Sequence, residues 1–511
     1  MKKTTRLWAL LLTVLMVAGL TGAAYAEEAE GGTLRVLMAG EPFNIVPQNG
    51  LLADGQGVAF TMYDTLLNYN SDTGENEPGI ALSYEWLDEY HLQFKIRDDV
   101  VAYDGTILTA QDILWSVQKG MEGTARTFWK AVDLAECSAP DDTTFILGLN
   151  QVYPTMPTQL SNNQMLVVLD ESSCEANGGW EACIRAPKMG TGAYFFEEWV
   201  TGDHITLVRN DNYWGTPGYY EKIEIRFNSE SAARVMALAA DEADVALDLT
   251  SVDMLALQGY DQCESVVVPQ CGVFSIMLNI TNEYLANPKV REAIYYAVNA
   301  DALNAIATGS VSTIADGPYE HTNAVYSAPA NPIDRQVNIE YAKQCMAEAG
   351  YPDGGFTLYL PTVEAMSTLA EAFQADLMQI GITVDIDLVE GLVGMQLNDT
   401  GGFDIGLAQT FSEDPVNICN YIDDRMPLNE RGGGIVGGLP ESYELIDKCR
   451  YTQDEAERNG YYAELQDFIR DNFLIIPLYD ACTVYGTNGS YKIMRSPTGF
   501  LRFNTAVPVG E

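Results

Sequence analysis

The segment at residues 189–215, MGTGAYFFEEWVTGDHITLVRNDNYWG, constrains the fold of this chain more than any other. Residues 193–200 and 204–209 are rich in aromatic and β-branched side chains, which favour strands. Residues 201–203, Thr-Gly-Asp, separate the two stretches. A short loop that contains a glycine joins antiparallel strands. The sequence therefore predicts a β-hairpin.

A turn and two large aromatic residues follow the hairpin. Residues 210–212, Asn-Asp-Asn, are typical of a turn because Asn and Asp bond to their own backbone and tolerate a left-handed φ. Tyr213 and Trp214 come next as apolar anchors with a polar group each. We assign Trp214, like Trp199 in the hairpin, to packing.

The N-terminus has the three parts of a secretory signal peptide. Lys2, Lys3 and Arg6 make its first part positive, and residues 7–20 form an apolar run that is short for a bilayer span. Residues 24–26, Ala-Tyr-Ala, fit the small-residue cleavage rule. We expect residues 1–26 to be removed from an exported protein.

The sequence argues against a membrane anchor after cleavage. Residues 20–23, Leu-Thr-Gly-Ala, resemble a lipidation motif, but Ala23 stands where the lipidated cysteine would be. No later apolar run is long enough to span a bilayer. We therefore expect a protein of the periplasm or the extracellular cell envelope that is not lipid-anchored.

The chain is strongly acidic. It holds 28 Lys and Arg against 72 Asp and Glu, a net charge of −44, which becomes −47 when the three positive residues of the signal peptide are lost. Such a surface repels phosphate backbones and anionic lipids, which excludes nucleic-acid binding. We interpret the negative charge as a means of keeping the protein soluble. The alternative role is attraction of cationic solutes toward the protein.

Nine cysteines lie in the chain that follows the signal peptide. An exported protein can form disulfides, and the sequence leaves the pairing open. Three pairs are candidates, of which the first is best placed: Cys174/Cys183, Cys263/Cys271 and Cys419/Cys449. The chain has three histidines and no Cys-x-x-Cys motif, so we expect no metal site and no cofactor.

Strand and helix patterns alternate along the rest of the chain. Strands are predicted at residues 32–38, 91–97, 141–149, 222–227, 244–247, 274–279 and 356–360. Helices are predicted after the cap residues Thr109, Ser231 and Asn287, and at residues 341–350, 369–380 and 456–473. The strand–helix–strand order at residues 222–247 indicates a crossover unit, and the whole pattern indicates an α/β fold.

Many short phrases follow one another in the order found in a known family. Beside the hairpin segment they are YDTLL at 63–67, PGIALSYEW at 78–86, AYDGT at 102–106, VREA at 290–293, AEAGYPDG at 347–354, GITV at 381–384, FD at 403–404 and IPLY at 476–479. Each phrase alone is weak, whereas their order over residues 34–479 is specific. The sequence resembles the family-5 solute-binding proteins, which are the dipeptide- and oligopeptide-binding receptors of bacterial ABC importers.

The resemblance implies a periplasmic-binding-protein-like α/β fold, a bilobal clamshell with an extra inserted domain. It implies a lobe 1 made of residues 27–56, 188–272 and 484–511, an extra domain at residues 57–187, and a lobe 2 at residues 273–483. It also implies that the protein captures a small solute, in the first place a peptide, and delivers it to an ABC permease with its ATPase subunits. We expect a monomer.

By position, the resemblance implies ligand-binding residues in all three parts: Glu41, Phe43, Asn44, Phe128, Trp129, Thr410, Phe411, Asp414 and Tyr485. In peptide-binding members, a carboxylate four residues before a proline pairs with the α-amine of the ligand. In this chain Phe411 stands at that position, before Pro415. An unpaired buried ammonium is unfavourable, so this departure makes a non-peptide solute such as an oligosaccharide the alternative.

A secreted glycoside hydrolase is another function class to weigh, because 72 acidic residues give many chance carboxylate pairs. The sequence holds no G-x-S-x-G, no H-E-x-x-H and no Cys/His nucleophile pattern. We therefore expect a binding protein and no enzyme. A receptor that presents its ligand to a sensor protein has the same sequence features as an importer subunit.

Overall fold

The computed structural model describes residues 31–49, 53–70, 75–123, 129–162, 167–330, 335–410, 414–428, 434–489, 491–496 and 499–509. The expected signal peptide, Phe128 and Phe411 lie outside these residues. Strands and helices are interspersed along the described chain, in agreement with the predicted α/β class.

The strands of the described chain are β1 (Thr33–Met38), β2 (Leu67–Asn70), β3 (Glu75–Pro78), β4 (Ala81–Trp86), β5 (His91–Ile96), β6 (Ser138–Asp141), β7 (Thr144–Gly148), β8 (Tyr194–Val200), β9 (His204–Arg209), β10 (Lys222–Phe227), β11 (Val245–Ala246), β12 (Glu264–Leu278), β13 (Phe356–Thr362), β14 (Ile382–Leu388), β15 (Ile405–Thr410), β16 (Ile475–Thr487), β17 (Tyr491–Lys492) and β18 (Val507–Pro508).

The α-helices are α1 (Ala53–Met62), α2 (Ala110–Glu122), α3 (Met156–Asn162), α4 (Glu171–Ala176), α5 (Trp180–Arg185), α6 (Ser231–Ala239), α7 (Ser251–Leu257), α8 (Pro288–Ala297), α9 (Ala300–Thr308), α10 (Ile339–Glu348), α11 (Ser367–Met378), α12 (Gly391–Thr400), α13 (Asn417–Ile422), α14 (Tyr443–Tyr451) and α15 (Glu455–Asp471). Short 3₁₀ turns lie at Pro47–Asn49, Glu364–Met366, Pro440–Ser442 and Phe503–Thr505.

The main sheet joins β8, β9, β10, β1, β11, β16, β12 and β15 in that order. β10 and β11 both run parallel to β1 on its two sides, so β10, α6 and β11 form the predicted crossover unit. β9 pairs antiparallel with β8, with Tyr194 opposite Arg209 and Val200 opposite His204. The predicted hairpin is confirmed.

Two long strands, β12 and β16, run from one half of the main sheet to the other. They pair antiparallel over most of their length, with a shift in register between Pro269 and Val273. Gly272 lies in this irregularity with a φ of +118°, which L side chains rarely adopt. A Cβ there would lie 1.7 Å from the carbonyl oxygen of Thr410, so this position requires glycine.

Four hydrophobic cores lie within the described residues; the smallest lies between α6, α7, β11 and β16, and we number the other three. Core 1 lies against β1, β8, β9 and β10 and includes Leu34 and Ile223. Core 2 lies against the four-stranded antiparallel sheet β4-β5-β7-β6 and includes Phe94. Core 3 includes Ile276 of β12 and Phe373 of α11, and it covers the parallel pair β13-β14.

The predicted elements need local corrections. The cap residues Thr109 and Asn287 are confirmed at the starts of α2 and α8. Ser231 is the first residue of α6, and Glu230 is its cap. β12 begins at Glu264, well before the predicted residue 274. Its first half contains Pro269 and Gly272, which locally disfavour a strand, and pairing with β16 overrides that preference.

No disulfide links any of the nine cysteines in this structure. Cys174 and Cys183 are buried on α4 and α5, and their thiols contact each other. Cys419 and Cys449 are buried on α13 and α14 in the same kind of contact. Both predicted pairs are therefore close enough in space to be linked.

The predicted Cys263/Cys271 pair is wrong. Cys263 directly precedes β12, and Cys271 lies eight residues further along that strand. At the rise of an extended strand this separation is about 25 Å. A disulfide joins residues whose Cα atoms lie within about 7 Å of each other.

Candidate functional site

A buried carboxylate joins the tail of the hairpin to the chain after α1. Asp64 is 7% exposed and accepts hydrogen bonds from the Tyr213 hydroxyl at 2.8 Å and from the Trp214 indole N–H at 2.9 Å. Burial raises the pKa of Asp64, while these hydrogen bonds and the charges of Arg502 and Arg97 oppose the rise. Tyr213 packs against core 1 and Trp214 against core 2. We call Asp64, Tyr213 and Trp214 the Asp64 joint.

The loop after β1 holds three of the predicted ligand-binding residues. Glu41 accepts a hydrogen bond from the Trp199 indole N–H at 2.7 Å and from a backbone N–H of the hairpin loop at 3.0 Å, so its carboxylate fastens this loop to the hairpin. Asn44 is buried and closes a local turn with Val46. Phe43 is 80% exposed and presents its ring to solvent.

Trp129 and Tyr485 are buried in different cores. Trp129 packs in core 2, and Tyr485, on β16, packs in core 1. Their neighbours in the prediction, Phe128 and Phe411, lie outside the described residues. The structure therefore does not bring Trp129 and Tyr485 together on one surface.

Thr410 ties the end of β15 to β12. Its buried hydroxyl donates to the carbonyl oxygen of Val273 at 3.0 Å and accepts the backbone N–H of the same residue at 3.2 Å. Gly272 lies directly beside this contact. Thr410 thus fixes the chain where β12 leaves its irregular stretch and enters core 3.

Asp414 is fully buried, and its carboxylate has partners from two distant parts of the chain. One oxygen accepts the Tyr153 hydroxyl at 3.0 Å and the Thr155 hydroxyl at 3.1 Å, and the other accepts the Val416 N–H at 3.1 Å. Burial raises the pKa of Asp414 to about 6, and the three hydrogen bonds and the charge of Arg458 oppose the rise.

A cavity of about 980 Å³ lies beside this carboxylate. Residues of β2, β3, β4 and the start of α3 line one wall, and residues 320, 322–325 and α15 line the other. Gln270 and Cys271 from the irregular stretch of β12 also line it, as does Pro415. Of the predicted ligand-binding residues that the structure describes, none lines this cavity.

Charges of both signs line the cavity: Glu75, Glu320 and Glu455 are acidic, and Arg458 and Arg495 are basic. Glu320 is buried and accepts the Gly272 N–H at 2.9 Å and an Asn323 amide N–H at 3.0 Å. Arg458 donates to two backbone carbonyls at 2.8 and 3.1 Å at the start of α15. Such a lining can pair with both charged ends of a zwitterionic solute.

The aromatic residues of this cavity were missed in the sequence. Tyr84 and Trp86 lie two residues apart on β4 and therefore share one face of the strand. The phrase PGIALSYEW contained this alternation, which was the available signal. Tyr69 on β2 joins them, and burial raises its pKa to about 12.

No group of three or more His, Cys, Asp or Glu side chains within the described chain is arranged to hold a metal ion. Its helices include none that is long and apolar enough to cross a bilayer.

The fold is shared with solved binding proteins. The periplasmic binding protein DppA from Helicobacter pylori, in complex with the peptide STSA, matches with a TM-score of 0.80 at 22% identity, over 94% of this chain and 98% of that chain. NikA from Brucella suis, in complex with Fe(III)-EDTA, matches with a TM-score of 0.80 at 22% identity, over 93% of this chain and 99% of that chain. This likeness confirms the predicted α/β clamshell.

Sequence comparison identifies the family. The oligopeptide-binding protein OppA of Bacillus subtilis is 23% identical over 525 residues, which cover 96% of this chain and 95% of OppA. The family model of the bacterial extracellular solute-binding proteins, family 5 (middle), matches residues 75–422, more than half of the chain. The chain therefore belongs to the bacterial extracellular solute-binding proteins of family 5, as its sequence phrases predicted.

Proposed function

We propose that the protein is the substrate-binding subunit of an ABC importer and that it captures a short peptide between two lobes. The observation that carries this proposal is the cavity of about 980 Å³ between the parts of the chain built on core 2 and core 3. Relatives support it: OppA of Bacillus subtilis is named an oligopeptide-binding protein, and DppA of Helicobacter pylori holds the peptide STSA.

We propose a domain division that follows the cores. Lobe 1 contains core 1, the extra domain contains core 2, and lobe 2 contains core 3, with β12 and β16 as crossing strands. We keep the expected boundaries of residues 188–272, 273–483 and 484–511. We narrow the extra domain from residues 57–187 to the part between α1 and α4, because Val58, Cys174 and Cys183 pack in core 1.

The lining of the cavity favours a peptide over a neutral solute. Acidic groups on both walls, Glu75 and Glu320 among them, suit an ammonium group, and Arg495 suits a carboxylate. Waters can bridge the remaining polar groups to side chains of varied size. An oligosaccharide is the alternative solute, because Tyr84 and Trp86 offer stacking surfaces and Phe411 stands where peptide-binding relatives have a carboxylate.

The partners and location belong to the same proposal. The protein is exported by its signal peptide, carries no lipid anchor and acts as a monomer in the periplasm or the extracellular cell envelope. It passes its solute unchanged to a permease with ATPase subunits and is no enzyme. Contacts of the solute with both lobes shift the population toward the closed conformation, which the permease then receives.

Native mass spectrometry of the protein as purified tests the solute class. We expect one peptide per chain, with a mixture of sequences across the sample, because the polar lining does not select one side chain. After removal of this solute, isothermal titration with short peptides gives one site per chain. The peptides keep their mass after incubation with the protein.

Other recovered molecules decide between the alternatives. A retained sugar would show that the solute is an oligosaccharide and not a peptide, bound by the same fold. A peptide or sugar that is cleaved during incubation contradicts the binding function and favours a hydrolase.

A substitution at Phe411 tests the alignment of its loop with peptide-binding relatives. Phe411→Asp restores a carboxylate at the expected amine-binding position, and we expect it to strengthen binding of free-amine peptides by about 1.5–3 kcal/mol, the contribution of a hydrogen bond to a charged group. Isothermal titration measures this change. Phe411→Asn and an N-acetylated peptide are the matched controls, and equal affinities in all combinations contradict the alignment.

A further inference from the structure

Tyr153 connects the two walls of the cavity. It follows β7 in the proposed extra domain, and its ring packs against both core 2 and core 3. Asp414 follows β15 in lobe 2, so the hydrogen bonds from Tyr153 and Thr155 to its carboxylate cross from one domain to the other. Thr155 and Pro415 both line the cavity, so this contact lies at its edge.

We propose that Asp414, Tyr153 and Thr155 form a latch that holds lobe 2 against the extra domain and so keeps the lobes closed over the solute, and that the latch holds more firmly when Asp414 is protonated. The inference rests on the proposed function, since a latch acts only in a protein that opens and closes. In this structure, which we take as the closed conformation, the carboxyl group is fully buried. When the lobes separate, water replaces both hydroxyl groups at the carboxylate.

Burial links closure to the proton. In the closed structure burial raises the pKa of Asp414 from an ordinary value of 3.8 to about 6. Opening exposes the carboxyl group, which returns its pKa toward the ordinary value. The closed conformation therefore binds the proton more tightly. Closure is favoured at low pH, and this advantage is lost as the pH rises through about 6.

The groups that face Asp414 come from several elements. Arg458 on α15 supplies a positive charge that lowers the pKa of Asp414, and an arginine stays protonated over this range. Tyr153, Tyr319 and Tyr462 also lie near Asp414. Beside the effect of burial, the charge of Arg450 lowers the pKa of Tyr153, and Cys419 raises the pKa of all three tyrosines. Burial raises the pKa of each of these tyrosines well above its usual value, so none of them ionises between pH 4 and pH 7.

The size of the effect follows from the two pKa values of Asp414. A rise from 3.8 to about 6 on closure favours the closed conformation by about tenfold at pH 5.0 compared with pH 7.5. Most of this change falls between the two values, where the carboxyl group is protonated in the closed conformation and ionised in the open one.

The test uses the whole mature protein, freed of solute by denaturation and refolding. Small-angle X-ray scattering gives the radius of gyration at pH 5.0 and pH 7.5, and hydrogen exchange follows the Val416 N–H, corrected for the intrinsic effect of pH. We expect the wild type to be more compact at pH 5.0 and its Val416 exchange to be about tenfold slower. Asp414→Asn keeps a polar group of the same shape and loses the pH dependence.

A second variant and a control separate the latch from general damage. The double variant Tyr153→Phe with Thr155→Val removes both donors across the domains, and we expect it to be open at both pH values. Tyr341→Phe removes a tyrosine hydroxyl that donates to Glu292 at 2.7 Å within core 3 and behaves as the wild type.

The latch is overturned by equal pH dependence of wild type and Asp414→Asn, by a double variant as compact as the wild type, or by an equal opening of the Tyr341→Phe control. These measurements need no solute. A failure of the peptide proposal in native mass spectrometry therefore leaves them unaffected, and their failure leaves peptide binding standing.

Discussion

Asp64 and Asp414 are buried carboxylates with the same kind of partners in two different joints of the molecule. Asp64 accepts hydrogen bonds from Tyr213 and Trp214 at 2.8 and 2.9 Å, and Asp414 accepts hydrogen bonds from two hydroxyl groups at 3.0 and 3.1 Å. Burial raises the pKa of both. What differs is the support that their partners receive from the surrounding chain.

The partners of Asp64 are fixed by backbone packing. Tyr213 and Trp214 follow β9, which is paired on both sides in the main sheet, and the Arg97 guanidinium lies 4.4 Å above the Trp214 ring. A Cβ on Gly192 would lie 2.5 Å from the carbonyl carbon of Met62, so the hairpin and the end of α1 approach each other as closely as a glycine permits. We therefore expect this joint to stay closed as long as the protein is folded.

The partners of Asp414 instead hold it at the edge of a cavity. Thr155 belongs to one wall and Pro415, next to Asp414, to the other. β12 and β16 connect core 1 to core 3, and they carry a register shift where Gln270 and Cys271 line the cavity. We therefore expect similar hydrogen bonds to form a permanent joint where glycine packing supports them and a separable contact where a cavity adjoins them.

The largest expected difference is in stability. Asp64→Ala leaves the Tyr213 hydroxyl and the Trp214 N–H buried without an acceptor, and we expect it to lower the free energy of unfolding by about 3 kcal/mol. Asp414→Ala should lower it by about 1 kcal/mol or less, because the two hydroxyl groups reach water when the lobes open. Urea denaturation of the solute-free protein measures both.

Equal losses in the two alanine variants would contradict the comparison, since they would mean that the Asp414 contact is as permanent as the Asp64 joint. A larger loss in Asp414→Ala would reverse it. Tyr341→Phe again serves as the control for the loss of a single hydroxyl group within one core.

A thiol pair lies near each joint. Cys174 and Cys183 lie near Tyr63, the residue before Asp64, and add to the rise in pKa that burial causes there. Cys419 adds to the rise in the pKa of Tyr153 in the same way. We expect glutathione disulfide to oxidise both contacting pairs, with two reduced glutathione molecules released for each bond formed. Each cross-link should stabilise the protein by about 2–4 kcal/mol.

Thiol counting in denaturant measures this oxidation. Nine thiols react in the reduced protein, and two disulfides leave five. Peptide mapping by mass spectrometry then identifies the pairs. If seven thiols react, only one of the two pairs is oxidised, which would sharpen the difference between the two sites. If nine thiols react, neither pair forms a disulfide, which would contradict both predictions.

Local sequence patterns predicted those elements whose residues agree with their surroundings. The hairpin, β10 and the starts of α2 and α8 were found because strand formers, loop glycine and cap residues all point to the same structure. β12 was found only in its second half. Pro269 and Gly272 act as local breakers, and the partner that overrides them, β16, lies some 200 residues later in the chain.

The same limit applies to the candidate site. The family order of sequence phrases locates the loop of Asp414, and from that position the sequence predicts that Asp414 contacts the ligand. Its partner Tyr153 lies 261 residues away in the sequence, so no local pattern could join the two. The same holds for the Asp64 joint, although the sequence contains both family phrases that form it. Family order located the phrases, and only the fold brought them into contact.

The smallest and most specific difference is expected from two matched tyrosine substitutions. Tyr213→Phe removes a hydrogen bond to a carboxylate that stays buried, and we expect a loss of about 1.5 kcal/mol in the free energy of unfolding at pH 7.5. Tyr153→Phe removes the corresponding bond to Asp414, and the loss should be below about 0.5 kcal/mol, because the open protein hydrates that carboxylate before it unfolds. Its effect should appear instead in the radius of gyration, which Tyr213→Phe leaves unchanged. An unfolding loss for Tyr153→Phe that matches the loss for Tyr213→Phe, without a change in compactness, would show that both carboxylates belong to fixed joints, and closure would then need a different contact.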